Sequence, residues 1–159
     1  VIFLTVGTQL PFDRLVEAVA SWSCRHPDRT VFAQIGASAL CPPFGSVATL
    51  SGPDYARAFE QAEVVVAHVG IGTVLDGLRL RKPLICMPRD HARGEHRNDH
   101  QFATARHLST KVSLALAWTE SDLHALLDGP REALVPTRLG SEPVRRLSAH
   151  VAALAQGMA

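Results

Sequence analysis

Val64-Val65-Val66-Ala67-His68-Val69-Gly70-Ile71-Gly72-Thr73 is the stretch whose reading decides the fold. Four apolar, mostly β-branched residues in a row predict a strand covered on both faces, because a half-exposed strand would alternate. A glycine turn follows, and then a helix to about Arg81. Working outward, the same order recurs. Val1 to Val6 is an apolar strand ending at Gly7-Thr8-Gln9, and Pro11, Phe12, Leu15, Val16 and Val19 then carry helical spacing. Thr30 to Ile35 predicts a second strand, Ser46 to Leu50 a short one, and Tyr55 to Gln61 a helix after Pro53. Leu84-Ile85-Cys86-Met87 is another strand, stopped by Pro88. A polar loop over Arg89 to Arg97 leads into a helix through Leu108. Val112 to Leu116 reads as a last strand, and helices are expected over 120–128 and 142–156. Strands alternating with helices predict an α/β fold with a Rossmann-like, doubly wound parallel sheet.

Composition narrows the functions. The chain has 159 residues, 47% of them hydrophobic and 19% charged, which suits one packed domain. A formal net charge of +1 gives no basic footprint for nucleic acid. Cys24, Cys41 and Cys86 are widely spaced without a Cys-x-x-Cys pair, so they read as buried or partly buried thiols in a reducing, cytoplasmic setting. No apolar run approaches the roughly 20 residues of a membrane span. The opening apolar run lacks a preceding basic region and reads as a strand, not a signal peptide.

Open parallel sheets bind ligands beyond the carboxyl ends of their strands. Three unusual loops fall there: Gly7-Thr8-Gln9, His68 to Thr73, and Arg89 to Gln101. In the first two, glycine lets the main chain approach a ligand, and the next helix offers free N–H groups and a positive dipole end, an arrangement that holds phosphate. Ordinary βα turns would use glycine as well. Neither loop is a dinucleotide fingerprint, since Leu75 stands where a third glycine would be, and no Walker sequence occurs. The third loop is dense in His, Asn, Asp and Gln, which offer donors and acceptors to neighbouring sugar hydroxyls. His91, His96 and His100 match no zinc spacing, and no Gly-x-Ser-x-Gly elbow exists, so neither a metal nor a hydrolase triad is expected.

Three separated motifs carry a resemblance: His68-Val69-Gly70-Ile71-Gly72-Thr73, Lys82-Pro83-Leu84, and Gly94-Glu95-His96-Arg97-Asn98-Asp99-His100-Gln101. Together with Thr5-Val6-Gly7-Thr8 and Phe12-Asp13-Arg14-Leu15, they resemble the C-terminal domain of glycosyltransferase family 28. Within that family the chain resembles the small subunits of bacterial two-chain exopolysaccharide glycosyltransferases. These are related to the catalytic subunit of the eukaryotic dolichol-pathway UDP-GlcNAc transferase. The resemblance runs from Val1 to about Leu108. It implies the C-terminal-type half of a GT-B fold, a single UDP-sugar-binding domain over 1–159 that is too short to hold donor and acceptor together. It implies an inverting, metal-independent transferase without a cofactor, moving a hexose or hexuronic acid from a UDP-sugar to a lipid-linked saccharide acceptor. A membrane-associated subunit would bind the acceptor and hold the chain at the inner face of the membrane.

Residue roles follow from the resemblance. Gly7, Thr8, Gly70, Ile71, Gly72 and Thr73 are expected at the diphosphate. Asp76 aligns with a ribose-binding glutamate but is one methylene shorter. Asn98, Asp99, His100 and Gln101 align with the sugar-contacting run, with Gln101 and His100 the foremost. His68 could touch phosphate, order its loop or act catalytically; the base is otherwise expected from the acceptor side. Arg89, Arg93 and Arg97 recur every four residues and suit a phosphate or a uronic carboxylate, or form a solvated basic loop. Val144, Leu147, Val151 and Leu154 give the terminal helix one apolar face, for packing or for docking the partner. Trp22 and Trp118 read as core or edge aromatics. A UDP-sugar-binding regulatory module without transfer activity would contain the same pocket. A sugar-nucleotide epimerase would need a longer, two-domain chain.

Overall fold

The computed structural model describes residues 1–97 and 100–138, with only the main chain of His100. In chain order the elements are β1 (Ile2–Thr5), α1 (Asp13–Arg25), β2 (Val31–Gln34), β3 (Gly45–Val47), α2 (Gly52–Gln61), β4 (Val64–His68), α3 (Ile71–Leu80), β5 (Leu84–Met87), α4 (His100–Ser109), β6 (Val112–Ser113), β7 (Ala115–Leu116), α5 (Glu120–Asp128) and β8 (Thr137–Arg138). Short 3-10 turns lie at His91–Arg93 and Arg131–Leu134. Six strands form one parallel sheet in the order β3-β2-β1-β4-β5-β7. The chain leaves β1 in one direction to β2 and β3, and returns on its other side to β4 and β5. The topological switch point therefore lies between β1 and β4, where such sheets open a crevice.

The unbroken apolar strands are explained by a core on each face of the sheet. Ile2, Leu4, Val64, Val66, Ile85 and Met87 point to α1 and α5, packing with Phe12, Leu15, Val19, Trp22, Leu123 and Leu127. Phe3, Val65, Ala67, Leu84 and Cys86 point the other way, to Phe59 of α2, Val74 of α3, and Ala105 and Leu108 of α4. The first of these layers is pinned by polar ties: Trp22 Nε1 donates to Asp128 at 2.8 Å, and His124 Nε2 lies 2.8 Å from the Ala18 carbonyl. Trp22 is thus a core residue. Trp118 is 39% exposed and packs on Phe102 with ring centroids 5.5 Å apart.

Three expectations need correction. Val112 to Leu116 is two strands, because Val112–Ser113 pairs antiparallel with β8 while Ala115–Leu116 joins β5. The stretch from Gly129-Pro130 through Gly140, which its composition marks as the most linker-like part of the sequence, is not a bare linker as far as it is described. Leu134 is buried, and Pro136 approaches the face of Gly77. The cysteines also differ from a buried set: Cys24 and Cys41 are exposed, and Cys86 alone is buried, with its thiol pushed up to about 12 by burial. Native protein is therefore expected to react at Cys24 and Cys41 with an aromatic disulfide reagent, and at Cys86 only after unfolding. Counting released thiolate before and after denaturant checks this. The helix over 142–156 lies outside the described residues. No described helix is long and apolar enough to cross a membrane.

Candidate functional site

A cleft of about 390 Å³ opens at the carboxyl edge of the sheet, over the switch point. That size lies in the range of small-molecule sites. Gly7 and Thr8 reach it from β1, Gln34 from β2, His68 from β4, Arg89 from just past β5, and Gln101 from α4. Thr73 of α3 and Tyr55 of α2 line it as well. The three loops singled out in the sequence are thereby gathered on one rim.

Gly7 needs to be glycine twice over. Its φ is +77°, and a Cβ there would stand 2.7 Å from His68 Cε1. Gly70, on the other side, would put a Cβ 2.7 Å from His68 Nε2. The imidazole is thus wedged between the two glycine loops. Among the described residues, its Nδ1 is the buried side-chain polar atom with no hydrogen-bond partner. Burial pushes its pKa down to about 4, and the Arg89 guanidinium adds to the shift. The ring is neutral at physiological pH. Gly70 caps α3 without a side-chain acceptor, so the first-turn N–H groups of Ile71, Gly72 and Thr73 remain open to an acceptor from outside the helix. Gly70, Ile71 and Gly72 lie at this helix start and do not line the cleft; Thr73 does.

The other sequence-derived residues divide. Gln101 lines the cleft, and its Oε1 accepts the Arg89 N–H at 3.0 Å. Asp76 lies a turn along α3, outside the cleft lining, with its carboxylate 3.4 Å from Arg79. Asn98 and Asp99 lie outside the described residues, as does the His100 side chain. The three arginines do not form a row. Arg89 is 2% exposed and its guanidinium is turned to main-chain carbonyls. Arg93 is exposed and pairs with Asp90 at 3.3 Å, and Arg97 is exposed. Four-residue spacing aligns side chains only in a helix. Here the segment makes one 3-10 turn, and Gly94 reverses it at φ +71°.

Sequence reasoning missed two groups. Thr5 and Gln34 are 1% and 4% exposed and share a hydrogen bond of 2.9 Å on the cleft floor. Polar residues ending otherwise apolar strands were their signal. Tyr55 Oη lies 3.5 Å from Thr73 Oγ1, and burial raises its pKa. The second group is the pair Arg14 and Glu95. Arg14 Nε and Nη2 donate to the two carboxylate oxygens of Glu95, each at 2.8 Å. Glu95 Oε2 also accepts the Asp90 N–H at 2.8 Å. No local pattern announces a pair 81 residues apart. Among the described residues, no cluster of His, Cys, Asp and Glu could hold a metal ion.

The description of glycosyltransferase family 28, C-terminal domain, matches residues 1–133. The chain belongs to this family. It is 27% identical over 134 residues to the UDP-N-acetylglucosamine transferase subunit ALG13 of Yarrowia lipolytica. That match covers 73% of this chain and 64% of the ALG13 chain, so it spans just under two thirds of the relative's length. Two solved structures share the fold. The glycotransferase of kitacinnamycin superposes with a TM-score of 0.56 at 22% identity, over 83% of this chain and 36% of that one. The solution structure of ALG13 gives 0.54 at 19% identity, over 85% and 87%. The Rossmann-like α/β reading therefore stands.

Proposed function

We propose that this chain is the donor-binding and catalytic subunit of an inverting, metal-independent glycosyltransferase. It moves a hexose or hexuronic acid from a UDP-sugar to a lipid-linked acceptor in exopolysaccharide biosynthesis. The observation that carries this reading is the meeting of Gly7, Thr73, His68 and Gln101 in one cleft at the switch point. The diphosphate lies over the gap between β1 and β4, met by main-chain N–H groups and the α3 dipole. The monosaccharide extends towards Gln101 beyond β5, with Asn98, Asp99 and His100 supplying the rest of its contacts. The nucleoside takes the opposite side, over Gln34 and Tyr55, with Asp76 towards the ribose. Arg93 and Arg97 contribute positive charge at the mouth.

In the reaction, an acceptor hydroxyl attacks the anomeric carbon from the face opposite the phosphate. The carbon–oxygen bond to UDP breaks, and the hydroxyl proton leaves to a base from the acceptor side. The leaving diphosphate gains charge, and donors fixed before the reaction stabilise that charge. A membrane-associated partner presents the lipid-linked saccharide and keeps the chain at the cytoplasmic face. The ALG13 relative is named a subunit, which supports such a division.

UDP at 100 times its dissociation constant is expected to stabilise the folded chain by about 2.7 kcal/mol, or roughly 8 °C in Tm, and the correct UDP-sugar by more. A melting series with UDP and a panel of UDP-sugars measures it. Unmoved curves at millimolar ligand would sink the donor-binding reading. Transfer that appears on adding the partner, and disappears in Gln101→Ala, separates the enzyme from a binding module without activity.

A further inference from the structure

Arg89 joins two loops that the functional reading treats separately. Its Nη2 donates to the Val6 carbonyl at 2.6 Å and its Nη1 to the Pro11 carbonyl at 2.9 Å, on either side of the Gly7 loop. The same Nη1 donates to the Glu95 carbonyl at 2.9 Å, within the polar loop after β5. Its main-chain N–H holds the Gln101 side chain. The guanidinium lies over the Phe12 ring, 4.8 Å from the centroid, which fixes its plane. Glu95 in turn is clamped by Arg14 of α1. A planar fork with several donors can span two loops in this way, and an ammonium cannot.

We propose that Arg89 is a positioning residue that sets the distance between the loop at Gly7 and the side chain of Gln101. It thereby decides how much affinity the donor's monosaccharide adds to that of its nucleoside diphosphate. This rests on the functional reading above. The guanidinium's shown donors point to carbonyls, so its effect on the ligand runs through Gln101 and the Gly7 loop. Burial pulls its pKa down to about 10, which still leaves it charged at physiological pH.

The test compares dissociation constants for UDP and for the tightest UDP-sugar of the melting panel. Arg89→Lys keeps the charge and loses the fork. It is expected to weaken UDP-sugar about tenfold while changing UDP less than about threefold, in protein shown to be folded by circular dichroism. Gln101→Ala should give a similar loss, and the double variant little more than either, since coupled residues are not additive. Equal losses for UDP and UDP-sugar would assign Arg89 to direct ligand contact or to stability alone, and would overturn the proposal. So would additive losses. The unmutated protein supplies a further arm: UDP without any sugar should slow hydrogen exchange at the Arg89 amide. No slowing in a chain that binds UDP would overturn the coupling whatever the variants do. A chain that binds neither ligand would end the functional reading, and this inference with it.

Discussion

Replacing Glu95 by alanine is expected to lower the unfolding free energy by about 3 kcal/mol, because removing one partner of a buried pair strands the other. Glu95 and Arg14 have side chains only 9% and 21% exposed. The two carboxylate oxygens take both Arg14 donors and the Asp90 N–H. Alanine would leave that guanidinium with the Pro88 carbonyl and a weak contact to the Met87 sulfur. Glu95→Gln keeps the shape and one acceptor, and is expected to lose less. Urea unfolding of the three proteins measures the difference. A loss under about 1 kcal/mol for the alanine variant would show that the loop closes without the pair. The same substitution should loosen the polar loop, so ligand binding is best compared well below the melting temperature.

Acid is expected to destabilise the protein through His68. The group's value falls from about 6.5 in the unfolded chain to about 4 in the fold, because burial disfavours the charged ring. Between those values the unfolded chain binds a proton that the folded chain does not, so stability falls as pH falls. The stability present above pH 6.5 is lost progressively towards pH 4. The shift corresponds to about 3 kcal/mol, on the scale of 1.36 kcal/mol per unit. His68→Asn removes the titration. Its unfolding free energy should fall less between pH 7 and pH 4.5 than that of the unmutated protein. Parallel pH dependence in the two proteins would mean that the imidazole titrates normally between the glycine loops.

The parallel sheet was legible because buried strands write themselves as apolar runs, and Val64 to Ala67 could face nothing but a core on each side. Loops at the ends of β1, β4 and β5 were legible for the same reason: once strand direction is known, their ends share an edge. What failed was anything set by partners distant in sequence. The Arg14–Glu95 pair has no local signature. Arg89 looked like its exposed neighbours Arg93 and Arg97 until packing turned it inward. Val112 to Leu116 reads as one strand because local propensity does not say that its halves answer to different partners. Thr5 and Gln34 were visible as polar residues inside apolar runs, but only pairing across β1 and β2 reveals that they meet.

On the proposed reading, the switch-point arrangement separates what donors share from what distinguishes them. The glycine loops spring from β1 and β4, interior strands whose positions any change of the sheet core would disturb. Among the described residues, Arg89 and Glu95 tie the polar segment after β5 to the rest of the fold. With a UDP-sugar in the cleft as proposed, a lineage would exchange one monosaccharide for another by rewriting the hydrophilic segment after β5, while its hold on the nucleotide would pass unchanged to the descendants.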